Sequence, residues 1–508
     1  MNSARRYFPL AAALLLAIAA FWKLDGANPW WDEGWTLTVA RTWVERGFYG
    51  RLLDGQLAPP GLEAAFPTTG LVALSFRTFG VGLWQGRLPI AMCAVAAMAL
   101  LCWLACQFYD SRVAWATLFI ALLTPVHPLL NPLLLGRQVM AEMPMLAFLL
   151  AGYACLLLSL KRSPWWAIAT ALFWAIGVRT KLQAVPFWAV SALVPLLLCL
   201  WQRRWRTSWL LGGTIAGSLL GAWLLPWFQQ ALLAGRTAPP ETLTDLVSVT
   251  AFVPTLDVRM FALQTTFSDG LIACIGLVYA LWHLLWREHL QLDSAAAVVR
   301  CSVLAFAGSW MLWFAGLSVG WERYMFPATF VASIFVGALL ADLTQGFALR
   351  SNFQQLGRNI QQRRLNRAGA GSLLALFLLL VTLPLGVQSL YRAYAIDVNR
   401  DAIDTAEFLN SSTPPSARIE TYESELFFFL QRPYHFPPDQ LHVALNRQMV
   451  LKQTVPVHYD PLVGKPDVIV VGSFSRMWEL YGIVPATPGF RLVRSFGVYD
   501  IYERINSF

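Results

Sequence analysis

The chain has 508 residues, 57% of them hydrophobic and only 13% charged, with a formal net charge of +9. Soluble domains carry roughly 25% charged residues, and here the apolar residues run on in long unbroken stretches, which excludes a soluble globular protein and indicates a bilayer. The positive balance does not mark a nucleic-acid binder, because Lys and Arg occur singly or in small groups between apolar stretches and form no basic face.

At the N-terminus Arg5 and Arg6 precede an apolar stretch from Phe8 to Trp22. Ala17-Ile18-Ala19 has the form of a signal-peptide cleavage site, but the rest of the chain is itself hydrophobic enough to be inserted, so the stretch reads as a first transmembrane helix. Apolar runs of about 17 to 25 residues then mark about eleven spans, near 7–24, 86–106, 113–130, 141–160, 164–178, 183–201, 208–227, 269–286, 298–317, 324–342 and 371–390. All seven cysteines fall inside or at the ends of these runs, with no paired spacing in a polar loop, so neither a disulfide framework nor a thiolate metal site is expected. His127, His283 and His289 likewise show no metal-ligand spacing, and no metal or cofactor is expected.

The charges between the spans give an orientation. With the N-terminus in the cytoplasm, alternate connections carry Arg5 and Arg6, Arg112, Lys161 and Arg162, Arg203, Arg204 and Arg206, Arg287 and Arg300, and the cluster from Arg350 to Arg367. This positive-inside bias predicts a cytoplasmic N-terminus and an extracytoplasmic C-terminus. Two long connections, 25–85 and 228–268, and the tail from Tyr391 then lie outside. Trp35, Val39 and Trp43 recur every four residues in the first connection, and Leu71, Leu74 and Phe79 form a second stripe. Both predict helices in the interface plane. In the tail, Ala417 to Tyr422, Asp467 to Val471, Arg491–Ser495 and Val498–Tyr502 read as strands between helical patterns such as Asp401–Leu409 and Ser475–Tyr481. The expected fold is an α-helical polytopic membrane protein over 1–390, with a small extracytoplasmic α/β domain over 391–508.

Ionisable groups at helix ends on the cation-poor side call for an explanation, because charges at membrane depth cost on the order of 2.5–3.5 kcal/mol on insertion scales. These groups are Asp32 and Glu33 within Trp30-Trp31-Asp32-Glu33-Gly34-Trp35, Arg137 with Glu142, Arg179 with Lys181, and Glu322-Arg323-Tyr324. Such an inventory suits a transfer in which a phosphate leaves a sugar while a hydroxyl attacks it. Arg and Lys hold the phosphate and stabilise its growing charge, and a carboxylate opposite them takes the hydroxyl proton. Blander roles compete with this one. Asp32 suits a helix N-cap, Glu33 suits an ion pair with Arg41 or Arg87, the cations suit interfacial anchors, and Glu142 suits neutralisation of Arg137 one helical turn away.

The string Trp31-Asp32-Glu33-Gly34 resembles the Asp-Glu motif that opens the first outer loop in the protein O-mannosyltransferase superfamily, which includes the aminoarabinose transferases acting on lipid A. Leu74-Ser75-Phe76-Arg77-Thr78-Phe79-Gly80 with Gly86-Arg87-Leu88-Pro89 is similar to its segment entering the second span. Arg137 to Pro144 is similar to its motif before the fourth span, with Glu142 where an Asp is usual, and Thr180-Lys181 and Arg323-Tyr324-Met325-Phe326-Pro327 match two further short patterns. The resemblance implies a C-type (GT-C) membrane glycosyltransferase fold, a polyprenyl-phosphate-linked sugar donor, a lipid, glycan or protein acceptor, an inverting displacement and an inner-membrane location. It implies one of the two motif acids, Asp32 or Glu33, as the catalytic base; the residue inventory itself puts Arg137, Arg179, Lys181 and Arg323 on the donor phosphate, with Glu142, Glu63, Arg87 and Tyr324 supporting them. The family's His-Pro-Pro or Lys-Pro element is replaced by Ala58-Pro59-Pro60-Gly61 or Phe66-Pro67-Thr68, where Glu63 is the only acid. A transporter or flippase of lipid-linked sugar is the alternative from another class; it predicts charges at the bilayer midplane on broken, repeated helices, whereas these charges sit at helix ends.

Overall fold

The computed structural model describes residues 14–59, 65–233, 249–348, 350–352, 354, 367–396, 399–486 and 488–505. The helices of the membrane part, after residues 14–21, are α1 (Trp31–Arg46), α2 (Phe66–Phe79), α3 (Leu83–Phe108), α4 (Ser111–Leu123), α5 (Glu142–Lys161), α6 (Trp166–Thr180), α7 (Val185–Trp201) and α8 (Trp205–Leu233). They continue as α9 (Leu256–Asp269), α10 (Leu271–Trp282), α11 (Ala295–Gly316), α12 (Glu322–Leu343) and α13 (Arg367–Tyr391). Among the described residues, seven helices are long and apolar enough to cross a membrane, which makes this a multi-pass membrane protein. They carry the predicted spans 86–106, 141–160, 183–201, 208–227, 298–317, 324–342 and 371–390.

The other four predicted spans differ for physical reasons. The first lies partly outside the described residues. α4 stops at Leu123 after 13 residues, because Pro125, Pro128 and Pro132 remove backbone donors and break the run predicted over 113–130. α6 has 15 residues. The run predicted over 269–286 is the second arm of a pair, Leu256–Asp269 and Leu271–Arg287, bent by 82°. Gly270 stands at the bend, where a Cβ would come 2.7 Å from the sulfur of Met325.

Beyond α13 comes a five-stranded sheet. A short hairpin of β1 (Leu52–Leu53) and β2 (Gln56–Leu57) precedes it in the chain, and the sheet itself holds β3 (Ile419–Thr421), β4 (Tyr434–His435), β5 (Val468–Val471), β6 (Phe490–Phe496) and β7 (Tyr499–Arg504) in the order β4-β3-β5-β7-β6. β3 runs parallel to β4 and β5, while β7 is antiparallel to β5 and β6. Helices α14 (Asp401–Ser412) and α15 (Asp439–Leu451) accompany the sheet. The strands fall where the alternation predicts them, and α15 and β4 are additions that the pattern did not reveal.

The apolar stripe of α1 is covered: Trp35 and Val39, with Trp31, are buried with Tyr422, Leu445, Ile469, Val471 and Tyr481 of the C-terminal domain. Around this contact Trp31 Nε1 donates to the Tyr422 carbonyl at 3.0 Å, and the Ser424 hydroxyl donates to the Trp31 carbonyl. Arg41 donates to the carbonyls of Phe428 and Leu430, and Arg51 pairs with Asp439 at 2.5 Å. Gly34 faces the domain so closely that a Cβ there would lie 2.3 Å from the Glu425 Cα. Gly34→Ala is therefore expected to push the outer domain off α1 and to cost at least the roughly 1–3 kcal/mol typical of overpacked cores. A wild-type unfolding curve in detergent, with unchanged proteolysis between residues 391 and 401, would refute this.

Candidate active site

Glu33 fixes the frame. It stands at the third position of α1 and accepts from the backbone N–H of Trp30 at 3.1 Å, so the residue that precedes the helix is Trp30 and Asp32 lies inside the first turn, free of capping duty. The same carboxylate accepts from Arg87 of α3 at 2.6 and 2.9 Å and from the backbone N–H of Val139 at 3.1 Å. Arg87 gives its remaining donors to the carbonyls of Leu24, Ala27 and Asn28. With both side chains nearly sealed, 3% and 0% exposed, each lone pair and N–H needs a partner, and these contacts supply them.

Asp32, one residue earlier, is arranged differently. Its carboxylate accepts from Arg323 in the first turn of α12 and keeps 36% of its side-chain surface. Lys181, in the extended break between α6 and α7, donates to Glu142 in the first turn of α5. The Lys181 ammonium lies 5.0 Å from the centroid of the Tyr324 ring, and the Arg323 guanidinium lies 5.2 Å from the same ring. Two acids, two bases and one aromatic ring thus converge from α1, α5, the α6–α7 break and α12. Burial pushes the Asp32 carboxyl up, but Arg323, His442 and Lys181 outweigh it and hold the group below the ordinary carboxylate range. Asp32 is therefore ionised at neutral pH.

The other predicted site residues are distributed as follows. Arg137 does not pair with Glu142; it donates to the Lys23 carbonyl at 2.6 Å and lies 4.5 Å over the ring of Tyr394, whose hydroxyl donates to the Ala19 carbonyl. Arg137 thereby joins the end of the first helix to the segment that leads into the C-terminal domain. Arg179, half-buried two residues before Lys181, makes no hydrogen bond or ion pair among the described residues. Glu63 lies outside the described residues. The sequence reading missed that the C-terminal domain adjoins this cluster. His442 on α15 stacks on Trp31 with ring centroids 5.0 Å apart and planes at 16°, and its Nδ1 lies 2.5 Å from the Tyr422 hydroxyl. A single His inside an amphipathic helix carries no spacing signal, so nothing local could have singled it out. Among the described residues, no group of three or more His, Cys, Asp or Glu could hold a metal ion.

This combination of an apolar helical bundle, charged groups at helix ends and a docked α/β domain defines a polytopic membrane protein of the C-type glycosyltransferase fold. ArnT from Cupriavidus metallidurans, solved with undecaprenyl phosphate bound, superposes with a TM-score of 0.64 at 15% identity, over 100% of this chain and 99% of that one. AglB, the oligosaccharyltransferase of Archaeoglobus fulgidus, in complex with an inhibitory peptide and a dolichol-phosphate, superposes with a TM-score of 0.53 at 11% identity, over 94% of this chain and 70% of that one. Within this fold, residues 68–227 match the family described as dolichyl-phosphate-mannose-protein mannosyltransferase. No curated protein matches the sequence.

Of the three ion pairs at the site, Glu33–Arg87 and Asp32–Arg323 differ in burial and so in their expected weight. Glu33→Ala or Arg87→Ala leaves a buried charge alone and is expected to destabilise by about 3–5 kcal/mol. Arg323→Ala, beside a carboxylate that keeps contact with solvent, is expected to cost about 1 kcal/mol or less. Chemical unfolding of the three variants in detergent checks the order; equal losses would refute it.

Proposed function

We propose that this chain is a membrane glycosyltransferase that takes a sugar from a polyprenyl-phosphate carrier and gives it to a hydroxyl outside the cytoplasm, by inverting displacement at the inner membrane. The observation that carries this reading is the convergence of Asp32, Arg323, Glu142 and Lys181 at the ends of four separate segments. Arg323 uses one of its five N–H donors on Asp32, and Lys181 uses one of its three on Glu142, so both retain donors for a phosphate. Undecaprenyl phosphate in ArnT and dolichol-phosphate in AglB, both of the same fold, support a lipid phosphate as the group that these cations receive.

In this reading the donor's phosphate oxygens sit against Arg323 and Lys181, with Arg179 as a third cation. As the anomeric C–O bond to phosphate breaks, charge grows on the departing oxygen and the fixed cations lower its energy. Asp32 approaches from the opposite face and orients the acceptor hydroxyl, while Glu33, sealed by Arg87, holds the helix that carries Asp32 and does not meet substrate. Glu142 keeps Lys181 directed at the phosphate. In this reading the N-terminus is cytoplasmic and the C-terminal domain extracytoplasmic, an orientation that the inter-span cations support.

Asp32→Asn keeps the size of the side chain and removes its charge. Transfer by purified protein in liposomes is expected to fall by about 10²–10⁴-fold, and Arg323→Lys to raise the donor KM more than it lowers kcat, because the planar fork is lost. The assay uses undecaprenyl-phosphate monosaccharides labelled in the sugar, with an envelope lipid and protein extract as acceptor. Undiminished transfer by Asp32→Asn would overturn the reading, as would passage of intact labelled lipid across the bilayer without any transfer.

A further inference from the structure

We infer that His442 of the outer domain is the group that receives the acceptor's proton, with Asp32 holding the hydroxyl in line. This deepens the glycosyl-transfer reading above and rests on it.

The inference starts from a mismatch. An attacking hydroxyl must lose its proton as its oxygen bonds to the anomeric carbon, and a carboxylate clamped by Arg323 is a poor long-term holder of that proton. A second base beside Asp32 resolves the mismatch, and the ring of His442 lies against Trp31, the residue next to Asp32. Its Nδ1 is engaged by the Tyr422 hydroxyl, while its Nε2 has no partner among the described residues. In the tautomer with the proton on Nδ1, that N–H donates to the Tyr422 oxygen and leaves Nε2 as a base. The stack on Trp31 fixes the ring plane, and Trp31 is itself fixed by the Tyr422 carbonyl and Ser424.

The charges around the ring fit the role. Burial holds the imidazole below its ordinary pKa of 6.5, opposed by Asp32 of α1 and Asp439 of its own helix and helped by Arg51 after α1 and Arg323 of α12. His442 is then neutral before reaction, and once it takes a proton the two carboxylates stabilise the imidazolium. The step balances as follows: the hydroxyl O–H breaks with its proton passing to Nε2, the hydroxyl oxygen bonds to the anomeric carbon, the bond from that carbon to the phosphate oxygen breaks with its electron pair, and the phosphate leaves on the Arg323 and Lys181 side. The imidazolium later returns its proton to water.

The experiment compares wild type, His442→Gln, His442→Ala, Tyr422→Phe and Asp32→Asn in liposomes, using a panel of labelled undecaprenyl-phosphate monosaccharides: a hexose, a pentose and an amino sugar. Wild-type kcat should fall as pH drops through an apparent pKa below 6.5, because His442 is useful only when neutral, and Asp32, ionised well below that range, cannot produce this limb. His442→Gln should lose about 10- to 100-fold in kcat with an unchanged donor KM and a flattened acid limb, and added imidazole should restore part of the rate in His442→Ala. Tyr422→Phe should shift the limb without abolishing transfer. If wild type transfers and Asp32→Asn does not, but His442→Gln keeps the wild-type rate and pH profile, the proposal for His442 fails while the glycosyltransferase reading stands. A slow His442→Ala that imidazole does not rescue, with its acid limb intact, also overturns the proposal, by assigning the ring a packing role. Wild type inactive with the whole panel, or Asp32→Asn fully active, brings down the parent reading and this one together.

Discussion

The buried pair of Glu33 and Arg87 is the constraint on which the rest of the site depends. Two full charges out of water would be prohibitive alone, and they are tolerated because Arg87 also serves three carbonyls before α1 and Glu33 also serves two backbone N–H groups. Those partners belong to different parts of the chain: the end of the first helix, the start of α1, α3 and the segment entering α5. One ion pair therefore fixes the relative position of four segments, including the turn that carries Asp32 and the one that carries Glu142. An apolar replacement of equal volume would fill the space but leave the backbone groups of Trp30 and Val139, and the three carbonyls, without partners.

The second constraint is charge balance at the helix ends. Asp32 with Arg323 and Glu142 with Lys181 form two neutral pairs, so the cluster carries no net charge that the bilayer boundary must accommodate. In the proposed reading neutrality limits affinity, because an arriving phosphate would share Arg323 and Lys181 with carboxylates already in place. It would also favour turnover, because a lipid phosphate left behind after the proposed transfer would meet cations that have other partners to return to. Tyr324, under both cations, adds attraction from its ring face without adding charge.

Much of this was legible in the sequence, and the failures have identifiable causes. Hydrophobic runs located the seven long helices because bilayer thickness sets a length that sequence displays directly. Prolines after Leu123 and a bend at Gly270 were visible as residues, yet their effect on spans 113–130 and 269–286 depended on which neighbours could satisfy the freed backbone. Asp32, Lys181, Arg323 and Glu142 were singled out because they are charges where charges are costly, and the fold gathers all four. The same logic cannot separate an exposed charge from a sealed one, which is why Glu33 and Asp32 looked alike although one is buried against Arg87 and the other keeps contact with solvent. Burial is a property of the packed chain, and adjacent residues on a helix face different sides. His442 was invisible for another reason: its relation to Asp32 spans more than four hundred residues and is set by the docking of one domain on one helix.

That docking has a consequence for how the molecule is organised. The contact between Gly34 and Glu425 is backbone against side-chain-free backbone, and the hydrogen bonds that flank it, from Trp31 to Tyr422 and from Ser424 to Trp31, fall within the same turn that holds Asp32 and Glu33. No flexible side chain intervenes to absorb a displacement, so a shift of the outer domain is transmitted to the Asp32 carboxylate, and the carboxylate in turn is tethered to α12 through Arg323. In the proposed reading, the cations that receive the phosphate, Arg323 and Lys181, belong to the membrane helices and the break between two of them. Groups that would meet the acceptor arise where α1 and the outer domain share a surface. On that reading, a division of this kind would let acceptor preference change through the C-terminal domain while the hold on the phosphate stays with the bundle.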